Sequence, residues 1–185
     1  LDVSAQYGVT GAAGYAEELD VARRVLEYKS ASYSVRRPAQ VGAALGGADD
    51  ALLAALGDFG SLIGRAFQLR DDVLGVYGDP ALTGKPHGGD IHEGKRTVLV
   101  LTALASADPA EAAELDALLG ATGLTDADID RAADLIEASG ARAHVERLIE
   151  EGTDHALAAL DAAEMTEEGR TALARLAEMS VRRVR

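Results

Sequence analysis

The chain has 185 residues, 48% of them hydrophobic, which suits one domain with a substantial core. Its formal charge of -13 excludes an extended nucleic acid as partner, because that kind of phosphate binding needs a basic face, whereas a small anion held by local cations and a metal stays open. Cysteine is absent, which removes disulfides and thiolate chemistry and fits the cytoplasm, and no stretch has the apolar length of a membrane span.

The chain opens on "LDVSAQ", without Met and in what reads as mid-element, as expected of a fragment of a longer protein. Alanine and leucine dominate and the apolar residues recur at helical spacing, so the expected fold class is all-α. A helix is predicted from about Tyr15 to Arg37 and stops at Pro38, which cannot continue it. A short one follows over Ala39 to Leu45.

From Asp49 to Val76 the broad stripe of Leu52, Leu56, Phe59, Ile63, Ala66 and Phe67, widened by Leu53, Leu62 and Leu69, marks a central, largely buried helix. Gly60 and Gly64 lie four apart on it and leave room for a neighbouring helix to come close, and Gly75, Gly78 and Pro80 are expected to end it. Pro80 to Thr97 reads as a polar, glycine-rich loop, long enough to suggest function. Beyond it come an apolar helix, "TVLVLTALAS", and an amphipathic one with a Thr125/Asp128 capping box and Gly140 as its stop. Two further amphipathic helices, in "GARAHVERLIEEGTDHALAAL" and "MTEEGRTALARLAEMSVRR", complete one domain over residues 1–185 with no internal repeat.

The chemistry gathers around the end of the central helix. Gln68, Asp71 and Asp72 fall at helical spacings and project in similar directions. Two carboxylates near a core are costly unless neutralised, and Mg²⁺ suits them, since it takes one or two carboxylates and keeps its other positions for water and phosphate oxygens. The alternative is a helix end that turns both acids out to solvent. Lysine usage bears on the choice: of 18 basic residues only three are lysine, Lys29, Lys85 and Lys95, and two of these follow the aspartates directly. A compact ammonium is a good point-charge partner for phosphate, though three ordinary surface lysines would look the same in sequence. "GDIHEGKR" imitates a P-loop but puts Arg96 where Ser or Thr must bind Mg²⁺, and His87 and His92 are too loosely spaced for a helical metal pair.

The stretch "GRAFQLRDDVLGVYGDPALTGKPHGGDIHEGKRT" resembles the second aspartate-rich region of the trans-isoprenyl diphosphate synthases, the polyprenyl synthetase family, and most of all its short-chain geranylgeranyl type. "LDVSAQ" is similar to the segment that carries the acid of a Gln-x-x-Asp motif, here Asp2, and "YKSASYSVRRP" to the family's Lys-Thr helix, with Ser30 in place of Thr. The resemblance implies the C-terminal part of the isoprenyl synthase fold. It also implies a homodimer that joins an allylic diphosphate to isopentenyl diphosphate, head to tail, with Mg²⁺ and release of pyrophosphate.

By position, Asp71 would then ligate Mg²⁺ with Asp72 in support, Lys29, Ser30 and Lys85 would hold the allylic diphosphate, Lys95 would be a further cation, and Gln68 would line the site beside Asp2. Two departures stand out. Gly75 replaces the usual third aspartate, and the first aspartate-rich motif is absent from the chain. A non-catalytic partner subunit and a class I terpene cyclase are the alternative readings, and product length is not legible without the missing motif.

Overall fold

The computed structural model describes residues 14–84 and 87–182. Every described element is helical, in agreement with the all-α expectation. Contacts divide the described residues into two compact units, residues 14–24, 71–84 and 87–146 in the first and residues 25–70 and 147–182 in the second. No described helix is long and apolar enough to cross a membrane.

The second unit opens with a departure from the predicted elements. Helix α1 (Tyr15–Val25) does not run on to a stop at Pro38; it passes into an 11-residue π-helical segment, Leu26–Arg36, and then into α2, Arg37–Leu45. At the junction the Arg37 N–H reaches back five residues to the Ser32 carbonyl. Pro38 sits in the first turn of α2, where a missing N–H costs little, so the proline marks a change of hydrogen-bond register and not an end.

Helix α3 (Asp50–Tyr77) is the predicted central helix displaced by one residue at each end. Leu56, Phe59 and Ile63 form the core of the second unit with Ala156, Leu160 and Ala177. Gly60 and Gly64 provide the close approach their spacing suggested. A Cβ at Gly60 would lie 2.6 Å from the Arg36 Cα, and one at Gly64 would lie 2.5 Å from the Ala31 Cα. These are backbone atoms, which cannot rotate aside, so the π segment meets α3 where α3 has no side chains. Gly75 lies inside the helix and does not help to end it; the break follows at Gly78.

The first unit is built around α6 (Val98–Ser106). Its residues Val98 to Leu104 are all buried, and it packs against α7 (Pro109–Leu118) and α8 (Asp126–Ala138). Leu99, Leu101, Leu115, Ile129 and Ile136 are fully enclosed. The α8 capping box forms as its sequence predicts, and Gly140 takes the left-handed conformation after the helix, at φ +77°. Helix α7 escaped the periodicity reading, although its start is signalled by Asp108, which caps the Ala110 N–H, and Pro109 just inside. The segment read as a loop is also partly ordered into two single turns, α4 (Pro80–Thr83) and α5 (Gly89–His92). Helices α9 (Ala141–Ala162) and α10 (Glu167–Val181) complete the chain as expected.

The α3 contact yields a paired prediction. Gly64→Ala should destabilise the chain by about 2 kcal/mol, the usual scale of overpacking against atoms that cannot yield. Gly42→Ala, in α2 with nothing within 4 Å of the new methyl, should instead stabilise it by about 0.5–1 kcal/mol. Urea unfolding followed by circular dichroism reads both, and equal effects at the two sites would contradict the packing described.

Candidate functional site

The polar groups singled out in sequence fall into two sets. In the second unit, Lys29 and Ser30 ride on the π segment next to Ala31, whose backbone is pressed into the notch at Gly64. Gln68 lies four residues beyond that glycine on α3. The Ser30 hydroxyl consequently meets it and donates a 2.6 Å hydrogen bond to Oε1 of Gln68. Lys29, the preceding residue, is exposed at the surface of the segment. Asp2 and Lys85 lie outside the described residues.

In the first unit, Asp72 is buried with only 5% of its surface exposed, while Asp71 is half-buried. The alternative of a helix end turning both acids to solvent therefore fails for Asp72. One turn further along α3 stands Gly75, and the space a side chain would take there is filled. A Cβ on Gly75 would lie 2.0 Å from Oδ2 and 2.3 Å from Cγ of Asp90. Asp90 comes from α5, is itself buried, and accepts a 2.9 Å hydrogen bond from Nζ of Lys95. Lys95 also pairs with Glu93 at 2.9 Å. Burial works against the lysine's charge, but the hydrogen bonds it donates to Glu93 and Asp90 outweigh it and hold the ammonium above its ordinary pKa.

The backbone around Lys95 explains why it sits there. Gly88 adopts φ +57° at the start of α5, and any side chain on it would run into Ile129, whose Cγ2 lies 2.1 Å from the position of such a Cβ. The Lys95 N–H returns to the Asp90 carbonyl at 2.9 Å, and the Gly120 N–H donates to the Ile91 carbonyl at 2.9 Å. The turn is thus closed on itself and tied to the end of α7.

Arg96 turns out to be structural. Its guanidinium bonds both Glu18 of α1 and Asp116 of α7, and it lies over the Tyr15 ring with 5.7 Å to the centroid. Both the arginine and Glu18 are largely withdrawn from water. The two histidines read as exposed and in a loop differ: His87 is half-buried and pairs with Asp130 at 3.0 Å, and His92 is exposed but ends α5. Among the described residues no three His, Cys, Asp or Glu converge as a metal cage. Any cation at Asp71 and Asp72 must therefore complete its shell from elsewhere. Asp90 is the functional candidate missed in sequence, although an acid embedded in "GGDIHEGK" five residues before a scarce lysine was a signal for it.

Residues 12–136 match the family model described as polyprenyl synthetase. Among similar proteins is a geranylgeranyl diphosphate synthase of Mycobacterium tuberculosis, 43% identical over 65% of this chain and 34% of its own length. A short chain isoprenyl diphosphate synthase of Methanothermobacter thermautotrophicus is 34% identical over 92% of this chain and 52% of its own. In three dimensions, the chain superposes with a TM-score of 0.85 on a geranylgeranyl pyrophosphate synthase from Corynebacterium glutamicum, crystallised with isoprenyl diphosphate and magnesium. That protein is 43% identical, and the match covers 90% of this chain and 47% of the other. The chain thus spans about a third to a half of the length of these relatives.

Arg96 supplies the stability prediction here. Arg96→Met would leave Glu18 buried without its partner and should cost about 3 kcal/mol of unfolding free energy, as removal of one member of a buried ion pair does. Arg96→Lys should recover only part of this, because one ammonium cannot reproduce the two-armed contact. Urea titration reads the loss, and a change below 1 kcal/mol, on the scale of an exposed ion pair, would show the pairing to be incidental.

Proposed function

The chain belongs to the polyprenyl synthetase family, and we propose that it supplies the diphosphate-binding half of a short-chain trans-prenyltransferase site. The reaction joins an allylic diphosphate to isopentenyl diphosphate. The C–O bond of the allylic ester breaks, the electrons leave with pyrophosphate, the isopentenyl double bond attacks the resulting allylic cation, and loss of a proton restores the alkene. The hardest part is charge separation. A site for it must therefore hold positive charge where the leaving oxygens develop negative charge.

Asp71 and Asp72 suit the metal this chemistry uses. They are hard oxygen donors on adjacent helical positions, one of them buried, and magnesium takes one or two carboxylates together with water and phosphate oxygens. Asp71, half-exposed, would be the direct ligand and Asp72 its support. When bound, magnesium would neutralise charge on the departing pyrophosphate. Lys95 adds a fixed cation one turn beyond the aspartates. Lys29 and Lys85 would bind the diphosphate of the allylic substrate, and the one hydroxyl proton of Ser30, given to Gln68 in the structure, would turn to the diphosphate beside Lys29. Asp2 would border the same site.

The observation that carries this reading is the buried Asp72 with a lysine anchored one turn further along the same helix. A buried acid costs stability unless it is paired or holds a cation, and the half-exposed Asp71 beside it on the same turn supports the cation reading. We further propose that the complete protein is a cytoplasmic homodimer, as the family resemblance suggests, and that the product is in the geranylgeranyl range.

A chimera tests the activity. The segment of the Corynebacterium glutamicum enzyme that aligns with this chain is replaced by the chain, and the product is assayed with farnesyl diphosphate, labelled isopentenyl diphosphate and Mg²⁺. Elongation is expected, and Asp71→Ala in the chimera should lower kcat by about 10²-fold or more while changing KM far less, because the lost charge compensation belongs to the transition state. The 185-residue chain alone should give no elongated product. A folded chimera without turnover, or an Asp71→Ala variant as active as its parent, would refute the proposal.

A further inference from the structure

We propose that Asp90 is the positioning residue for Lys95: seated in the notch left by Gly75, its carboxylate fixes the ammonium beside the aspartate-bearing turn of α3. This rests on the reading of that turn as a diphosphate site, but its geometry stands independently. Three observations converge. The Asp90 carboxylate occupies almost the volume that the first atoms of a side chain at position 75 would fill, so it lies directly against the α3 backbone, one turn after Asp71 and Asp72. It is buried, whereas the lysine it holds is one-third exposed, so the acid is the anchor and the lysine the presented group. The turn from Asp90 to Lys95 is closed by the bond from the Lys95 N–H to the Asp90 carbonyl, which brings the two side chains to the same side.

A lysine side chain has four rotatable bonds and loses considerable freedom when it is held in place. Left free, Lys95 would spend most of its time in solvent and would have to be ordered whenever an anion arrives. With Asp90 holding it, that cost is met on folding. Glu93 is a weaker anchor, because it is itself more than half exposed. Gly75 has a specific part in this device. Any side chain there would expel the carboxylate, so the glycine is required by Asp90 and is not merely the loss of an acid.

The arrangement makes an unusual swap testable. If the carboxylate matters for its place and not for the element that carries it, an aspartate grafted at position 75 should substitute for the one removed at position 90. Only three lysines occur in the chain, so the ε-methylene signals of a ¹³C-lysine-labelled sample can each be assigned by single Lys→Arg changes. In the parent, the Lys95 signal should be shifted and broadened relative to free lysine. Asp90→Ala should move it to the free-lysine position and sharpen it while leaving Lys29 in place. Asp90→Asn should do the same although it preserves the shape. Gly75→Asp in the Asp90→Ala background should restore the shift.

A double-mutant cycle in the chimera described above gives the functional arm. Asp90→Ala should reduce kcat by about tenfold when Lys95 is present and by less than about twofold when Lys95 is already alanine, since residues acting through one another are not additive. A Lys95 signal unmoved by Asp90→Ala, or equal losses in both backgrounds of the cycle, would overturn the assignment. An inactive chimera would count against the prenyltransferase reading alone, because the lysine spectrum decides the positioning claim without turnover.

Discussion

Helix α3 leaves out side chains where its neighbours must touch its backbone, and the placement of the polar groups depends on that omission. At Gly60 and Gly64 the backbone of the π segment enters; at Gly75 a carboxylate enters. Glycine inside a helix costs roughly 1 kcal/mol relative to alanine. Repeating that cost along one helix is sensible only if close approach is worth more. Here the approach fixes what packing at ordinary helix distances would leave adjustable. Ala31 cannot slide along α3 without striking side chains, so Ser30 is held at Gln68. Asp90 cannot move without leaving its notch, so Lys95 is held in turn.

Electrostatics then decides what such groups are for. The chain is strongly acidic, and two cations of the first unit are shared: Arg96 serves Glu18 and Asp116, and Lys95 serves Asp90 and Glu93. Each cation with two acids leaves a local surplus of negative charge, which suits a metal ion more than a bare anion. A diphosphate brought to this surface needs a divalent partner to offset the surrounding acids. Lys95, held against the end of α3 through Asp90, adds a local positive charge there, while net charge keeps other polyanions away.

Much of this was legible in the sequence, for reasons that can be named. The stripe from Leu52 to Leu69 and the Thr125/Asp128 box are local signals, and local signals gave α3 and α8 almost to the residue. Gly60 and Gly64 announced a close contact, although not its partner. Pro38 misled, because a π-helical register that puts a proline into a first turn has no sequence signature of its own. Helix α7 was overlooked because its apolar face is narrow, with only Ala112 and Leu115 buried, and periodicity had little to detect. Asp90 was missed for a deeper reason. Its place against Gly75 joins positions 15 residues apart, and the nearby Lys95 points to the acid without giving that contact. The same non-local logic turned Arg96 from a flaw in a P-loop pattern into a tie between α1 and α7.

The proposed metal-dependent diphosphate site at the end of α3 is open to test by calorimetric titration of the chain with inorganic pyrophosphate. With Mg²⁺ present, saturable binding is expected that disappears on addition of EDTA and weakens as salt is raised, because screening reduces the contribution of the lysines. Binding of equal strength with and without the metal, or no heat of binding at any Mg²⁺ concentration from a folded chain, would contradict it.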